Sequence, residues 1–453
     1  MSRGPHRALG RVILPGLIAL FSAAPLLAAG PHHTNPIAQV VLWLACILAA
    51  AKTGGDVAVR LGQPAVLGEL VAGVLLGNLA LVGPGFFEPL KTNPSLEMLG
   101  GLGVLILLFE VGLESTVRQM LRVGPSSLLV AVLGVVVPFG LGWAVGAWLL
   151  PGEGPHAHAF LGAALCATSV GITARVLKDL KRERTREARI ILGASVVDDV
   201  LALVLLALVA GMIVAADRGE SFNPEAAIVI VVKALGFLVG SLAIGVAIAP
   251  ALFRLGSHLR SGGVLLPLGL AFCFLLSWVA NLIGLAPIVG AFAAGLILES
   301  AHYKGFVKKG EHPLEELTRP LTEFLVPVFF VLMGARTDLR SFGQPGVLGL
   351  ALCLTAAAIV GKQACALGVL GRDVNRFAVG IGMIPRGEVG LIFANIGLGL
   401  SIGGKPVIGP ATYSAIVVMV IATTMMTPPA LKWATERRGG VVDEVTPSGR
   451  GAP

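Results

Sequence analysis

Apolar runs long enough to cross a bilayer, parted by short polar stretches, follow one another along almost the whole chain. Thirteen such segments lie near 36–58, 64–82, 95–114, 124–150, 157–178, 187–213, 224–255, 262–281, 284–300, 318–336, 346–371, 375–400 and 409–434. At about 1.5 Å per residue, some twenty helical residues span the hydrocarbon core. The eighth and ninth segments share barely enough residues for two spans. Before the first segment, Arg3, Arg7 and Arg11 precede an apolar stretch that ends in the small residues LLAAG at 26–30. That order predicts a signal peptide over residues 1–30. The pattern predicts an all-α polytopic membrane protein with thirteen transmembrane helices in a domain over 31–435, and a polar cytoplasmic tail over 436–453.

Composition agrees, since 55% of the residues are hydrophobic and only 13% are charged, values foreign to a soluble domain of this length. The net charge of +8 could point to nucleic acid, but the basic residues gather in particular loops. With the mature N-terminus outside, the cytoplasmic loops hold Arg118 and Arg122, the run from Arg175 to Arg189, Arg254 and Arg260, Lys304, Lys308 and Lys309, and Arg372 and Arg376. The opposite loops near 151–158 and 214–225 are poor in them, with Arg336 and Arg340 as the exceptions. The positive-inside rule then predicts an inner-membrane protein, N-terminus outside and C-terminus inside, with no nucleic-acid partner. All five cysteines lie within apolar runs without paired spacing and read as packing residues.

The chain also repeats itself. AVLGELVAGVLLG at 65–77 resembles PIVGAFAAGLILE at 287–299, pairing Gly68 with Gly290 and Gly73 with Gly295 at an offset of 222. The same offset carries Gly112 onto Gly334 and Gly124 onto Gly346. Seven spans separate the copies, and an odd number reverses their direction across the membrane. Two inverted repeats, about 64–213 and 284–434, are the mark of secondary transporters with a mid-membrane site. The repeats also locate two discontinuous helices. One is GAALCATSVGITARVL at 162–177, with Thr168, Ser169, Gly171 and Thr173 at its centre. Its counterpart, GIGMIPRGEVGLIFANIG at 380–397, is broken at Pro385 and Gly387 and carries Arg386 and Glu388. These two charges read as electrostatic partners for the broken-helix ends.

Adjacent aspartates, Asp198 and Asp199, stand in the middle of the apolar run at 188–213. Each costs about 2.5–3.5 kcal/mol at the centre of a spanning helix, so a bound partner is implied. Neighbours on a helix point about 100° apart, and the two carboxylates cannot face the same group. Lys362, in LTAAAIVGKQACALGVL, is the only lysine in the middle of the second repeat's spans and is placed to pair with one of them. No HExxH pattern is present, and the chain does not read as an enzyme.

These motifs resemble the cation:proton antiporter superfamily, specifically its two-aspartate, electrogenic sodium/proton antiporters. The likeness rests on ATSVGITARVL at 167–177, SVVDDVLALV at 195–204, the lysine of VGKQ at 360–363 and IPRGEVGLIFA at 384–394. It implies that Asp199 carries the cation and the proton and that Asp198 pairs with Lys362. It implies too that Thr168 and Ser169 border the ion, with Asp199 and Asp198 as the monovalent-cation ligands. No cofactor is implied beyond the transported ions: protons and sodium, or else lithium or potassium. A six-helix core in which the two discontinuous helices cross, moving against an interleaved dimerisation subdomain in a homodimer, is the implied architecture. Potassium efflux relatives carry glutamine in place of Asp198, and electroneutral relatives carry Asn-Asp with a glutamate where this chain has Ala194. Potassium/proton efflux and an ion-sensing membrane protein on the same scaffold are the alternative functions.

Overall fold

The computed structural model describes residues 36–79, 87–114, 124–180, 185–219, 224–256, 263–298, 312–343, 346–371 and 374–436, together with Arg182, His258 and Phe306. The expected signal peptide and the tail after Glu436 lie outside the described residues. The chain is almost entirely helical. In order come α1 (Pro36–Arg60), α2 (Ala65–Gly77), α3 (Glu88–Thr92), α4 (Pro94–Glu114), α5 (Pro125–Leu149), α6 (Pro155–Ala164), α7 (Val170–Asp179) and α8 (Arg186–Asp217). Then follow α9 (Pro224–Gly256), α10 (Leu265–Leu282), α11 (Pro287–Ile297), α12 (Leu314–Ala335), α13 (Val347–Gln363), α14 (Arg376–Gly382), α15 (Glu388–Gly399) and α16 (Pro410–Glu436).

Each of the thirteen apolar segments coincides with a helix or a broken pair. Among the described residues, nine helices are long and apolar enough to cross a membrane. The other four segments are shorter pieces. Segments two and nine are α2 and α11, of 13 and 11 residues, while segments five and twelve are the broken pairs α6/α7 and α14/α15. The boundary between segments eight and nine is set by Gly284, whose φ of 85° turns the chain before Pro287 opens α11.

The chain forms two compact units. The first holds residues up to Gly103 with Phe324–Arg336, and the second holds Val104–Glu323 with the remainder from Thr337. Within the first, glycines let helices touch backbone to backbone. A Cβ on Gly73 would fall inside the carbonyl of Val331, one on Gly334 inside that of Leu70, and one on Gly68 inside that of Gly54. Within the second unit the same contacts recur, transposed by the 222-residue offset of the sequence repeat. Gly295 abuts the carbonyl of Phe109, Gly112 that of Phe292, and Gly290 that of Leu276. Only glycine permits such approaches, which explains why its pattern, rather than that of larger side chains, carries the repeat.

In the second unit, α5 packs against α6, α8 and α13, and α13 lies against α16. Its core joins Val130, Ala131, Ile191, Ala194, Cys365, Met383, Leu431 and Ala434. Thr185 Oγ1 caps α8 by accepting from the amide of Ala188 at 3.2 Å. At the far end of α8, Asp217 Oδ1 accepts from the amide of Gly403 at 2.8 Å. Gly403 is the first turn residue of a two-stranded hairpin (β1, Ser401–Ile402; β2, Lys405–Pro406). Gly403 and Gly404 both have positive φ, as a two-residue turn of this hand requires.

Candidate functional site

Two unwound segments cross inside the second unit. Residues 165–169 separate α6 from α7, and residues 383–387 separate α14 from α15. Backbone groups freed there are satisfied across the crossing. The amide of Ser169 donates to the carbonyl of Pro385 at 2.9 Å, Thr168 Oγ1 to that of Met383 at 3.4 Å, and Thr173 Oγ1 to that of Gly382 at 2.6 Å. Gly387 leaves room for Ser169, because a Cβ there would lie 2.6 Å from its Oγ.

Arg386 is fully buried at this crossing. Its Nη1 donates to the carbonyls of Ala167 at 2.6 Å and Cys166 at 3.2 Å. These carbonyls lie just past the C-terminal end of α6, where the helix dipole favours a cation. Thr424 Oγ1, on α16, in turn donates to the carbonyl of Arg386. Glu388 is the first residue of α15, but its side chain lies outside the described residues.

Asp198 and Asp199 sit in the middle of α8. Lys362 Nζ donates to both oxygens of Asp198, at 3.0 and 3.2 Å, and both side chains have no exposed surface. A pair so deeply buried survives only with such close geometry, because desolvating each ion costs several kcal/mol. Lys362 is not at the centre of its helix. It lies one residue before the end of α13, where the chain tightens into a 3₁₀ turn over Ala364–Gly368. Asp198 also interacts electrostatically with Arg386. Asp199, turned away from its neighbour by the helix, keeps 8% of its surface exposed.

The structure thus brings Asp198 and Lys362 into one contact, and Thr168, Ser169 and Arg386 into one crossing in the same unit. Sequence reasoning missed several residues around them. Ser195, one turn before Asp199, is fully buried, bonds back to Ile191 at 2.9 Å and meets Met383 Sδ at 3.7 Å. Thr424 belongs to a buried group with Thr423 and Thr427, and three threonines within an apolar helix were a visible signal. Gly134 on α5 borders the ion pair, and nothing in the sequence distinguishes it from neighbouring glycines. No group of three or more His, Cys, Asp or Glu side chains suited to a metal ion occurs among the described residues. Chemically, the arrangement offers a carboxylate neutralised in a buried ion pair and, one residue on, a second buried carboxylate.

Comparison with known proteins gives a consistent answer. Residues 40–436 match the family model described as sodium/hydrogen exchanger, transmembrane. The high-affinity Na(+)/H(+) antiporter NhaS3 of Synechocystis is 39% identical over 444 residues, covering 90% of each chain. The Na(+)/H(+)-K(+) antiporter GerN of Bacillus cereus is 36% identical over 86% of this chain and 95% of its own. The solved structure of the sodium proton antiporter MjNhaP1 from Methanocaldococcus jannaschii superposes with a TM-score of 0.68 at 16% identity, over 88% of this chain and 98% of that one.

Proposed function

The chain belongs to the sodium/hydrogen exchanger family, and from this we propose that it exchanges protons for sodium through Asp199. It is a multi-pass membrane transporter, not an enzyme. Transported ions are its substrates, and the family's exchange needs no cofactor.

The observation that carries the assignment is the buried contact of Lys362 with Asp198 beside a more accessible Asp199. One carboxylate can hold a proton or a cation but not both, so competition at Asp199 couples the two flows. When a cation enters, Asp198 turns towards it and Lys362 is released to give up a proton. Two protons then move against one monovalent cation, and net charge crosses the membrane. Thr168 and Ser169 border the ion, while Arg386 and Glu388 balance the ends of the broken helices.

The alternation between inside-open and outside-open forms rests on two inverted repeats, a reading supported by the glycine contacts that recur at the repeat offset. With it go thirteen spans, an outside N-terminus after a cleaved leader, a cytoplasmic C-terminus, the inner membrane and a homodimer. A core of spans four to six and eleven to thirteen moves against a dimerising remainder. Sodium is the favoured cation, and potassium/proton exchange is the alternative. A panel of lithium, sodium and potassium gradients, applied to proteoliposomes with an internal pH dye, decides between them. Sodium-driven proton movement exceeding that with potassium supports the proposal. Movement with potassium alone would replace it with the alternative.

A further inference from the structure

The Lys362–Asp198 pair lies against a helix position that has no side chain. A Cβ on Gly134 of α5 would stand 3.0 Å from Cys365 Sγ, 3.1 Å from Lys362 Nζ and 3.4 Å from Asp198 Oδ1. The first two separations are tighter than side chains in cores ordinarily tolerate, so the neighbours would have to give way. Elsewhere on α5 the crowded glycines serve a different purpose. Gly142 accommodates the backbone of Gly162, and Gly146 the side chains of Leu161 and His158. Gly140 faces open space. Gly134 alone among them has the ends of the charged side chains as its neighbours.

Lys362 and Cys365 belong to one short stretch that passes from α-helix to 3₁₀ turn. The same stretch is fastened to α5 on either side. Gly361 packs on Pro138, with a prospective Cβ 3.0 Å from its Cα, and Gly368 packs on Val130, 2.6 Å from its amide nitrogen. These two contacts hold the backbone of the stretch at a fixed distance from α5. A side chain added at 134 therefore cannot be accommodated by moving α13 away. It must be accommodated by the flexible end of Lys362 or by the thiol of Cys365.

We propose that Gly134 is a positioning residue for transport, whose missing side chain lets the Lys362 ammonium engage both oxygens of Asp198. The proposal rests on the role given above to this pair, and it adds a residue on a third helix that sets how readily the pair opens. Other charged or titratable groups interact electrostatically with the pair: Cys365 after α13, Cys166 after α6 and Arg386 before α15. None of them supplies the steric limit that Gly134 does.

The test is a double-mutant cycle between Gly134→Ala and Lys362→Gln, read both as the Tm of the purified protein and as voltage-driven exchange in proteoliposomes. Gly140→Ala on the same helix is the control. Lys362→Gln alone lowers Tm, because Asp198 stays fully buried without its ion-pair partner. With Gly134→Ala already present, that loss is expected to shrink by half or more. Gly134→Ala is expected to reduce the voltage response of exchange and to shift its pH profile, and to have no further effect in the Lys362→Gln background. Gly140→Ala is expected to leave exchange at wild-type values and Tm at or slightly above them.

Additive Tm changes, or a Gly134→Ala exchange profile superimposable on wild type, would overturn the proposal. Should Gly134→Ala alone fail to fold, Gly134→Ala combined with Lys362→Gln and Cys365→Ala must fold, since both of the nearest neighbours are then shortened. Misfolding of both overturns it as well. A wild-type protein that moves no protons in response to any cation would sink the exchange reading instead, and the Tm cycle would still decide the role of Gly134.

Discussion

Arg386 reaches from one unwound segment to the other and places its Nη1 2.6 Å from the carbonyl oxygen of Ala167. The end of one half-helix is thus closed by a cation carried in the break of the other. A hydrogen bond from a charged donor contributes about 1.5–3 kcal/mol, and Arg386 donates two of them while fully buried. Arg386→Gln is expected to lower Tm by several degrees in a detergent-solubilised melt. Arg386→Lys is expected to recover only part of that loss, because an ammonium lacks the planar fork. Equal melts for all three proteins would show that the contact with Ala167 and Cys166 does not hold the crossing.

The glycine contacts make a paired prediction. Gly73→Ala drives a Cβ into Val331 and Gly295→Ala drives one into Phe109, in each case against backbone that cannot turn aside. Each substitution is expected to destabilise by about 3 kcal/mol or more, the upper end for overpacked cores. Gly101→Ala, in open space on α4, is expected to be neutral or to stabilise by up to about 1 kcal/mol through helix propensity. Thermal melts of the three variants check this. Tolerance at 73 with collapse at 295, or the reverse, would mean that the two crossings are not equivalent.

What could be read from the sequence follows from which signals residue types carry. Apolar length located the helices, and Gly73, Gly112, Gly295 and Gly334 carried the repeat, because close backbone contact demands one residue type. That Lys362 meets one of the two aspartates was legible, since buried opposite charges in an apolar chain must find each other, but the choice of Asp198 came from the family resemblance. The crossing was less legible. Arg386, Thr168 and Thr173 all donate to main-chain carbonyls, and a carbonyl has no sequence signature. Arg386 read as a cap for helix ends, yet it also acts on Asp198. The hairpin at Ser401–Pro406 passed unnoticed between the twelfth and thirteenth segments, although its paired glycines announce a turn.

Lys362→Gln addresses the charge balance of the cycle. Moving one elementary charge through 100 mV is worth roughly 2.3 kcal/mol, enough to bias exchange strongly. The wild-type rate is expected to change with an imposed potassium-diffusion potential. The variant is expected to keep some exchange and to lose most of that dependence. Wild-type rates indifferent to potential would rule out net charge movement, leaving a one-for-one exchange at Asp199.

Asp199→Asn tests the central claim most directly. Asparagine preserves the size of the side chain on α8 but can neither take up a proton nor offer a charged oxygen to a cation. The measurement is the internal pH of proteoliposomes after an outward or inward sodium gradient is imposed, with wild type and variant matched for protein incorporated and for Tm. The account predicts rapid, sodium-dependent proton movement in the wild type and none above the protein-free background in the variant. A well-folded Asp199→Asn protein that retained most of the wild-type rate would show that this carboxylate is not where proton and cation compete.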